Sequence, residues 1–210
     1  MVIFDLDGTL WNSSEVVAES WSMVIEEVVG PGKGLSPAAI ASCMGMTMDE
    51  IADAHFGYLP KAERDSLARK CETFENEYLM DHHGKLYDGV REVLEELADR
   101  GVKMSIVSNC QKDYVKTFIE SMDMSKYFVD YEEWGRSGLL KADNIRLVMD
   151  RNGVDKAVYV GDIQKDSDAA HKAGIPCIYA AYGFGEINDA VATINSFREL
   201  PKVLEELGYL

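Results

Sequence analysis

The stretch V-I-F-D-L-D-G-T-L, residues 2–10, decides how the rest of this 210-residue chain is read. It begins as an apolar run typical of a buried strand and ends in two carboxylates, Asp5 and Asp7, followed by Gly8. Burying a carboxylate costs free energy unless a partner compensates its charge. Two alternatives follow: the strand ends here and both acids lie in water, or the acids are held together at a site.

Four short apolar runs predict buried parallel strands, because they show little alternation with polar residues. They are residues 2–4, 103–107, 157–160 and 176–181. Helical apolar spacing lies between the last three runs, so strands and helices alternate, which indicates an open α/β sheet. The acidic stretch Asp130–Glu133 also falls in this region, and we expect it to be a solvent-exposed loop.

The segment 14–84 breaks that alternation, since it contains helical patterns and no convincing strand. Ser36 followed by proline is typical of a helix N-cap. Thr47 and Glu50 match a capping box at the start of another helix. We therefore expect a helical insertion between the first strand and the rest of the sheet.

Composition and charge exclude several classes of partner. The chain is 47% hydrophobic and 28% charged, which is typical of a globular protein. It has no signal-peptide pattern and no apolar run near the roughly 20 residues that cross a bilayer, so we expect a cytoplasmic protein without a membrane partner. A net charge of −16 argues against nucleic acid, which needs a basic face. The four scattered cysteines fit a reducing compartment.

Small polar and acidic side chains follow three of the predicted strands. In open parallel sheets, ligands bind at the carboxyl ends of the strands, so these side chains are expected to converge. Lys141 opens the helix before the third strand, and Asp166 lies on the first turn of the helix after it. In strand order, the side chains are Asp5 and Asp7, then Ser108 and Asn109, then Asp162.

Each of these residues has an ordinary explanation when it is taken singly. Two acids near a strand end usually form a solvated turn, Ser108 could cap a helix, and Lys141 could be a surface lysine. Asp162 and Asp166 could simply favour the positive end of a helix. Their occurrence in order, at the ends of separate strands, favours a common site.

Four ordered segments resemble the motifs of the haloacid dehalogenase-like hydrolases, specifically the phosphoglycolate phosphatase-like branch. They are D-L-D-G-T-L (5–10), S-N (108–109), Lys141 and G-D-I-Q-K-D (161–166). The resemblance spans essentially the whole chain and implies a Rossmann-like parallel-sheet core, residues 1–13 and 85–210, with an all-helical cap domain, residues 14–84, inserted after the first strand. Asn12, Ala142 and Ile163 depart from the usual family residues, but none of them removes a catalytic group.

The resemblance implies a phosphatase that hydrolyses a small phosphorylated metabolite through an aspartyl-phosphate. Asp5 is then the nucleophile, and Asp7 is the general acid that becomes the general base. Ser108, Asn109 and Lys141 are expected to bind the phosphate. Phosphoglycolate, a sugar phosphate, a nucleotide and pyrophosphate all stay open as substrates, as does the choice between monomer and homodimer.

The resemblance also implies Mg²⁺, because a carboxylate and an anionic phosphate repel each other unless a cation bridges them. The implied ligands are the Asp5 carboxylate, the Asp7 main-chain carbonyl and the Asp162 carboxylate. Asp166 is expected to support these ligands without binding the ion directly, or to reach it through a water molecule.

Other functions fit less well. A 2-haloacid dehalogenase or a phosphonate hydrolase would lack the second aspartate, so Asp7 argues against both. A phosphosugar mutase would keep Asp7 but usually carries a cap arginine shortly after the glycine that corresponds to Gly45, and the following M-T-M-D offers none. A phospho-accepting receiver domain, a different class, has another motif order and no helical insertion. The segment 43–47 is expected to shape substrate choice.

Overall fold

The computed structural model describes residues 1–210 and has at its centre a six-stranded sheet in which every pairing is parallel. The strand order is β5-β4-β1-β6-β7-β8. The six strands are β1 (Val2–Phe4), β4 (Met104–Ser108), β5 (Asp130–Glu133), β6 (Val158–Gly161), β7 (Cys177–Ala180) and β8 (Ala192–Ile194). A separate antiparallel pair joins β2 (Trp11–Asn12) to β3 (Lys85–Leu86). The predicted α/β fold is confirmed.

Ten α-helices connect and cover these strands, and none of them combines the length and the apolar character needed to span a membrane. The first four are α1 (Ser14–Val28), α2 (Pro37–Ala41), α3 (Met48–Phe56) and α4 (Lys61–Leu79). The others are α5 (Val90–Asp99), α6 (Tyr114–Ser121), α7 (Trp134–Ser137), α8 (Lys141–Arg151), α9 (Gln164–Ala173) and α10 (Leu200–Glu206). A 3₁₀ turn, Phe197–Glu199, precedes α10.

The central strand β1 is apolar on both faces because helices cover both sides of the sheet. Val2 and Phe4 belong to one buried cluster, which includes residues of α5, α6 and α10. Ile3, which points to the opposite face, belongs to another cluster with residues of α8 and α9. The burial of β1 therefore fixes where the chain emerges at Asp5.

The expectation that Asp130–Glu133 is a solvent-exposed loop is wrong, because this segment is the edge strand β5. Glu132 and Glu133 are buried. Glu133 accepts hydrogen bonds from the main-chain N–H groups of Asp113 and Val115, and Arg151 lies 2.6 Å from Glu132. These partners come from distant parts of the chain and offset the cost of burying two carboxylates.

The stretch between β2 and β3 contains four helices joined by loops and no strand, as expected. Its apolar side chains form a 12-residue buried cluster of their own, with Trp21 and Phe56 stacked inside it. The predicted N-cap at Ser36 and the capping box at Thr47 are both confirmed. We propose that residues 14–84 are a cap domain and that residues 1–13 and 85–210 are the core, since the chain leaves and re-enters the core through the paired strands β2 and β3.

Candidate active site

The carboxyl edge of the sheet brings acidic residues from β1 and β6 to one buried lysine. Asp5 follows β1, Asp162 follows β6, and Lys141 is the first residue of α8. The Lys141 Nζ atom lies 2.9 Å from Asp5 Oδ1 and 2.6 Å from Asp166 Oδ1. All four side chains are buried. Residues that are far apart in the sequence therefore meet around a single cation.

Asp166 organises this cluster from the start of α9. Its Oδ2 atom accepts hydrogen bonds from the main-chain N–H groups of Asp162, at 3.0 Å, and Ile163, at 3.2 Å. Its Oδ1 atom accepts the bond from Lys141. Both oxygens are thus engaged within the protein, and Asp166 fixes the position of Lys141 and of the Asp162 main chain.

Asp162 is oriented by two segments that the sequence did not single out for this task. Thr9 Oγ1 donates to Asp162 Oδ1 at 3.3 Å, and the main-chain N–H of Phe184 donates to Asp162 Oδ2 at 2.8 Å. Gly8 has a φ of +86° and packs so closely on this carboxylate that a Cβ atom there would collide with it. The glycine after Asp7 is therefore needed for both its conformation and its size.

The cluster carries more negative than positive charge. Asp5, Asp162 and Asp166 each place a carboxylate oxygen within 4.8 Å of the others, and Lys141 is the one cation bound among them. Burial, together with the Asp166 charge, raises the pKa of Asp5 to about 6 against the opposing effect of Lys141. Burial and the charges of Asp166 and Asp5 raise the pKa of Asp162 to about 8. An oxygen-only cluster with excess negative charge fits a hard divalent cation.

Asp7 has different surroundings from Asp5. Its Oδ1 atom accepts hydrogen bonds from the hydroxyl groups of Ser13 and Tyr114, the latter at 3.1 Å. Burial raises the pKa of Asp7 to about 7, against these hydrogen bonds and with a further contribution from the Asp5 charge. Sequence reasoning missed Ser13 and Tyr114. No spacing rule signals them, because Tyr114 lies 107 positions from Asp7 and reaches it only through the tertiary fold.

Ser108 and Asn109 lie where β4 ends, and both line a cavity that also contacts Asp5 and Asp7. Asn109 Nδ2 donates to the main-chain carbonyl of Gly45 at 3.3 Å, which ties the end of β4 to the segment 43–47. The Oδ1 atom of Asn109 is buried without a hydrogen-bond partner. The cavity therefore lies between the sheet edge and the helical segment.

Comparison with known proteins supports a single family. The family model described as haloacid dehalogenase-like hydrolase matches residues 2–180. A phosphoglycolate phosphatase of Pseudomonas savastanoi pv. phaseolicola is 30% identical over 196 residues, which cover 88% of this chain and 70% of that protein. A phosphoglycolate phosphatase of Rhodospirillum rubrum is 26% identical, with 99% and 90% covered.

Solved structures show the same fold. The crystal structure of a predicted phosphoglycolate phosphatase from Haemophilus somnus aligns with a TM-score of 0.83 at 23% identity, covering 97% of this chain and 96% of that one. The structure of CbbY from Rhodobacter sphaeroides in complex with phosphate aligns with a TM-score of 0.78 at 19% identity, covering 95% of each chain. The resemblance expected from the sequence motifs is confirmed. The chain belongs to the haloacid dehalogenase-like hydrolase family and is a phosphatase.

Proposed function

We propose that this phosphatase is Mg²⁺-dependent, works in the cytoplasm, and hydrolyses a monoester of a small phosphorylated metabolite through a phosphoaspartate on Asp5. The observation that carries the proposal is the buried ion pair between Lys141 Nζ and Asp5 Oδ1, at 2.9 Å, inside a cluster of three carboxylates. Similarity to phosphoglycolate phosphatases supports a small phosphorylated substrate.

Asp5 is the proposed nucleophile. One of its carboxylate oxygens forms a bond to phosphorus while the bond from phosphorus to the ester oxygen breaks, and the leaving oxygen takes a proton. Lys141 holds the Asp5 carboxylate and offsets charge on the phosphoryl oxygens. Ser108 and the main chain at Asn109 are the proposed hydrogen-bond donors to those oxygens.

Asp7 is the proposed source and acceptor of protons. With a pKa of about 7, its protonated form is well populated near neutral pH and can protonate the leaving alkoxide. The resulting carboxylate, held by Ser13 and Tyr114, then removes a proton from water. That water attacks the phosphoaspartate, releases inorganic phosphate and regenerates Asp5.

The acidic cluster is the proposed metal site, with Asp5, Asp162 and the Asp7 main-chain carbonyl as Mg²⁺ ligands. When bound, Mg²⁺ would supply positive charge that lets an anionic phosphate approach a carboxylate. Asp166 is the proposed supporting residue, because its Oδ1 atom is bound by Lys141 and its Oδ2 atom accepts two main-chain N–H bonds.

The test is phosphate release from a panel of phosphorylated metabolites, with Mg²⁺ and with EDTA. We expect turnover only with Mg²⁺, and we expect Asp5→Asn to lose at least about four orders of magnitude in kcat. Asp168→Asn, at an exposed aspartate of α9, is the matched control and should keep wild-type kcat. Acid-quenched wild-type protein should carry phosphate on Asp5. Appreciable turnover by Asp5→Asn would refute the covalent route.

A further inference from the structure

The cavity has two unlike walls. The core wall carries Asp5, Asp7 and Ser108, where the phosphoryl group would bind. The opposite wall, formed by the helical segment, is largely apolar. Its apolar side chains include Val17, Ile40, Met44, Met46, Met48 and Ile51. In an in-line reaction the leaving group lies on the side of phosphorus opposite Asp5, so this wall would contact the leaving group.

Glu75 is the one carboxyl group on the helical wall, and the proposed mechanism does not use it. It is only 3% exposed, and the Trp21 indole N–H donates to its Oε2 atom. Burial raises the pKa of Glu75 to about 8, against hydrogen bonds from Trp21 and Gln111. No lysine or arginine forms an ion pair with this carboxyl. A buried acid that faces a cavity without a cation is costly unless a ligand completes its hydrogen bonds.

No lysine, arginine or histidine side chain lines the cavity. Lys141, at the core wall, is already bound by Asp5 and Asp166. On the helical side, the ring of His55 faces the Cys43 thiol with Nε2 and Sγ 2.8 Å apart. A second negative charge on the substrate would therefore be buried in a largely apolar cavity with no basic side chain to compensate it.

Asn109, which also lines the cavity, supports the same class of ligand. The Asn109 side-chain N–H group donates to the cap, which leaves its Oδ1 atom as a buried acceptor without a partner. A carboxylate or phosphate on the leaving group cannot satisfy an acceptor, whereas a hydroxyl group can donate to it. Glu75 and Asn109 together therefore favour hydroxyl groups over anions.

We propose that this cavity receives a leaving group that carries hydroxyl groups and no second negative charge, with Glu75 as the specificity-determining residue. The inference rests on the proposed phosphatase mechanism and narrows its substrate class. It sets hydroxylated phosphate monoesters apart from phosphoglycolate and from bisphosphates, which carry another anionic group.

The experiment compares kcat/KM for 2-hydroxyethyl phosphate and phosphoglycolate, which differ in a hydroxymethyl group against a carboxylate at the same position. We expect the wild-type protein to prefer 2-hydroxyethyl phosphate by at least about tenfold. At pH 9, where Glu75 has lost its proton, Glu75→Gln keeps an oxygen that can accept the Trp21 bond but removes the negative charge, so it should lower that preference about fivefold. Glu72→Gln, one turn earlier on α4 and outside the cavity, should keep the wild-type ratio.

Hydrolysis of p-nitrophenyl phosphate separates this inference from the mechanism beneath it. If Mg²⁺ and Asp5 are required for that reaction but the wild-type protein prefers phosphoglycolate, the inference is overturned and the phosphatase mechanism stands. An unchanged ratio in folded Glu75→Gln overturns it as well. If the wild-type protein hydrolyses none of the three esters, both proposals fail. The wild-type ratio of kcat/KM for 2-hydroxyethyl phosphate and phosphoglycolate tests the inference even if Glu75→Gln does not fold.

Discussion

The two walls of the cavity differ in which parts of the chain supply their side chains. On the core wall, polar groups come from strand and helix ends far apart in the chain, and Lys141 and Asp5 are separated by 136 positions. Lys141 and the aspartates among these groups have partners that hold them in place. On the helical wall, packed side chains of one local segment form an apolar surface with a single buried carboxyl. The comparison teaches that the backbone architecture positions the polar groups of the core wall, whereas local side-chain packing forms the wall to which we assign substrate selection.

Substitution of Lys141 is expected to have the largest effect on the stability and activity of the core wall. In Lys141→Met, three buried carboxylates would lose their one cation, so we expect about 3–5 kcal/mol of destabilisation and about a thousandfold lower kcat. Urea unfolding and steady-state phosphate release measure the two effects. Lys165→Met, at an exposed ion pair with Glu50, is the control and should change neither quantity appreciably. Wild-type stability in Lys141→Met would show that the cluster does not depend on this cation.

The helical wall is tested by the pH dependence of stability. The pKa of Glu75 is raised from 4.5 to about 8, so between these values the folded state keeps a proton that the unfolded state has lost. Stability therefore falls as pH rises through this range, by up to about 1.4 kcal/mol per pH unit for this group. Glu75→Gln removes that contribution, so the variant should gain stability relative to the wild-type protein from about pH 5 to about pH 8.

The measurement is urea unfolding of both proteins across that pH range, in the same buffer and at constant salt. Glu77→Gln, at an exposed carboxylate of the same helix, serves as the control and should parallel the wild-type curve. Parallel curves for Glu75→Gln would mean that Glu75 is not held in the protonated form.

The smallest expected effect concerns the loop that joins the walls. Thr47 caps α3 by accepting from the Glu50 main-chain N–H, and it borders the segment 43–47. Thr47→Ala should cost about 1 kcal/mol and raise KM about threefold with little change in kcat. Ser196 accepts a similar bond from Arg198 in the core. Ser196→Ala should cost a similar amount of stability and leave KM unchanged. An equal rise in KM in the two variants would contradict the proposed role of the segment 43–47 in substrate binding.

The sequence predicted the core wall better than the helical wall. Strand ends are visible as apolar runs that stop in polar residues, so Asp5, Ser108 and Asp162 could be expected to converge. The strand β5 was missed because its glutamates look solvent-exposed until Arg151 and the start of α6 pack against them. Glu75 was missed because it lies within an ordinary helical pattern, and only the packing of α1 against α4 buries it.

The β2–β3 pair limits how the two halves can move. Trp11 pairs with Leu86 and Asn12 with Lys85, so both chain crossings lie side by side. The helical segment is therefore joined to the core along one edge, and a rotation about the chain crossings would break these main-chain hydrogen bonds. The cavity between the helical segment and the core has a volume of about 50 Å³, far below the roughly 300 Å³ of a typical ligand pocket. We therefore expect the helical segment to move away from the core when an ester enters, with the smallest displacement at the β2–β3 edge.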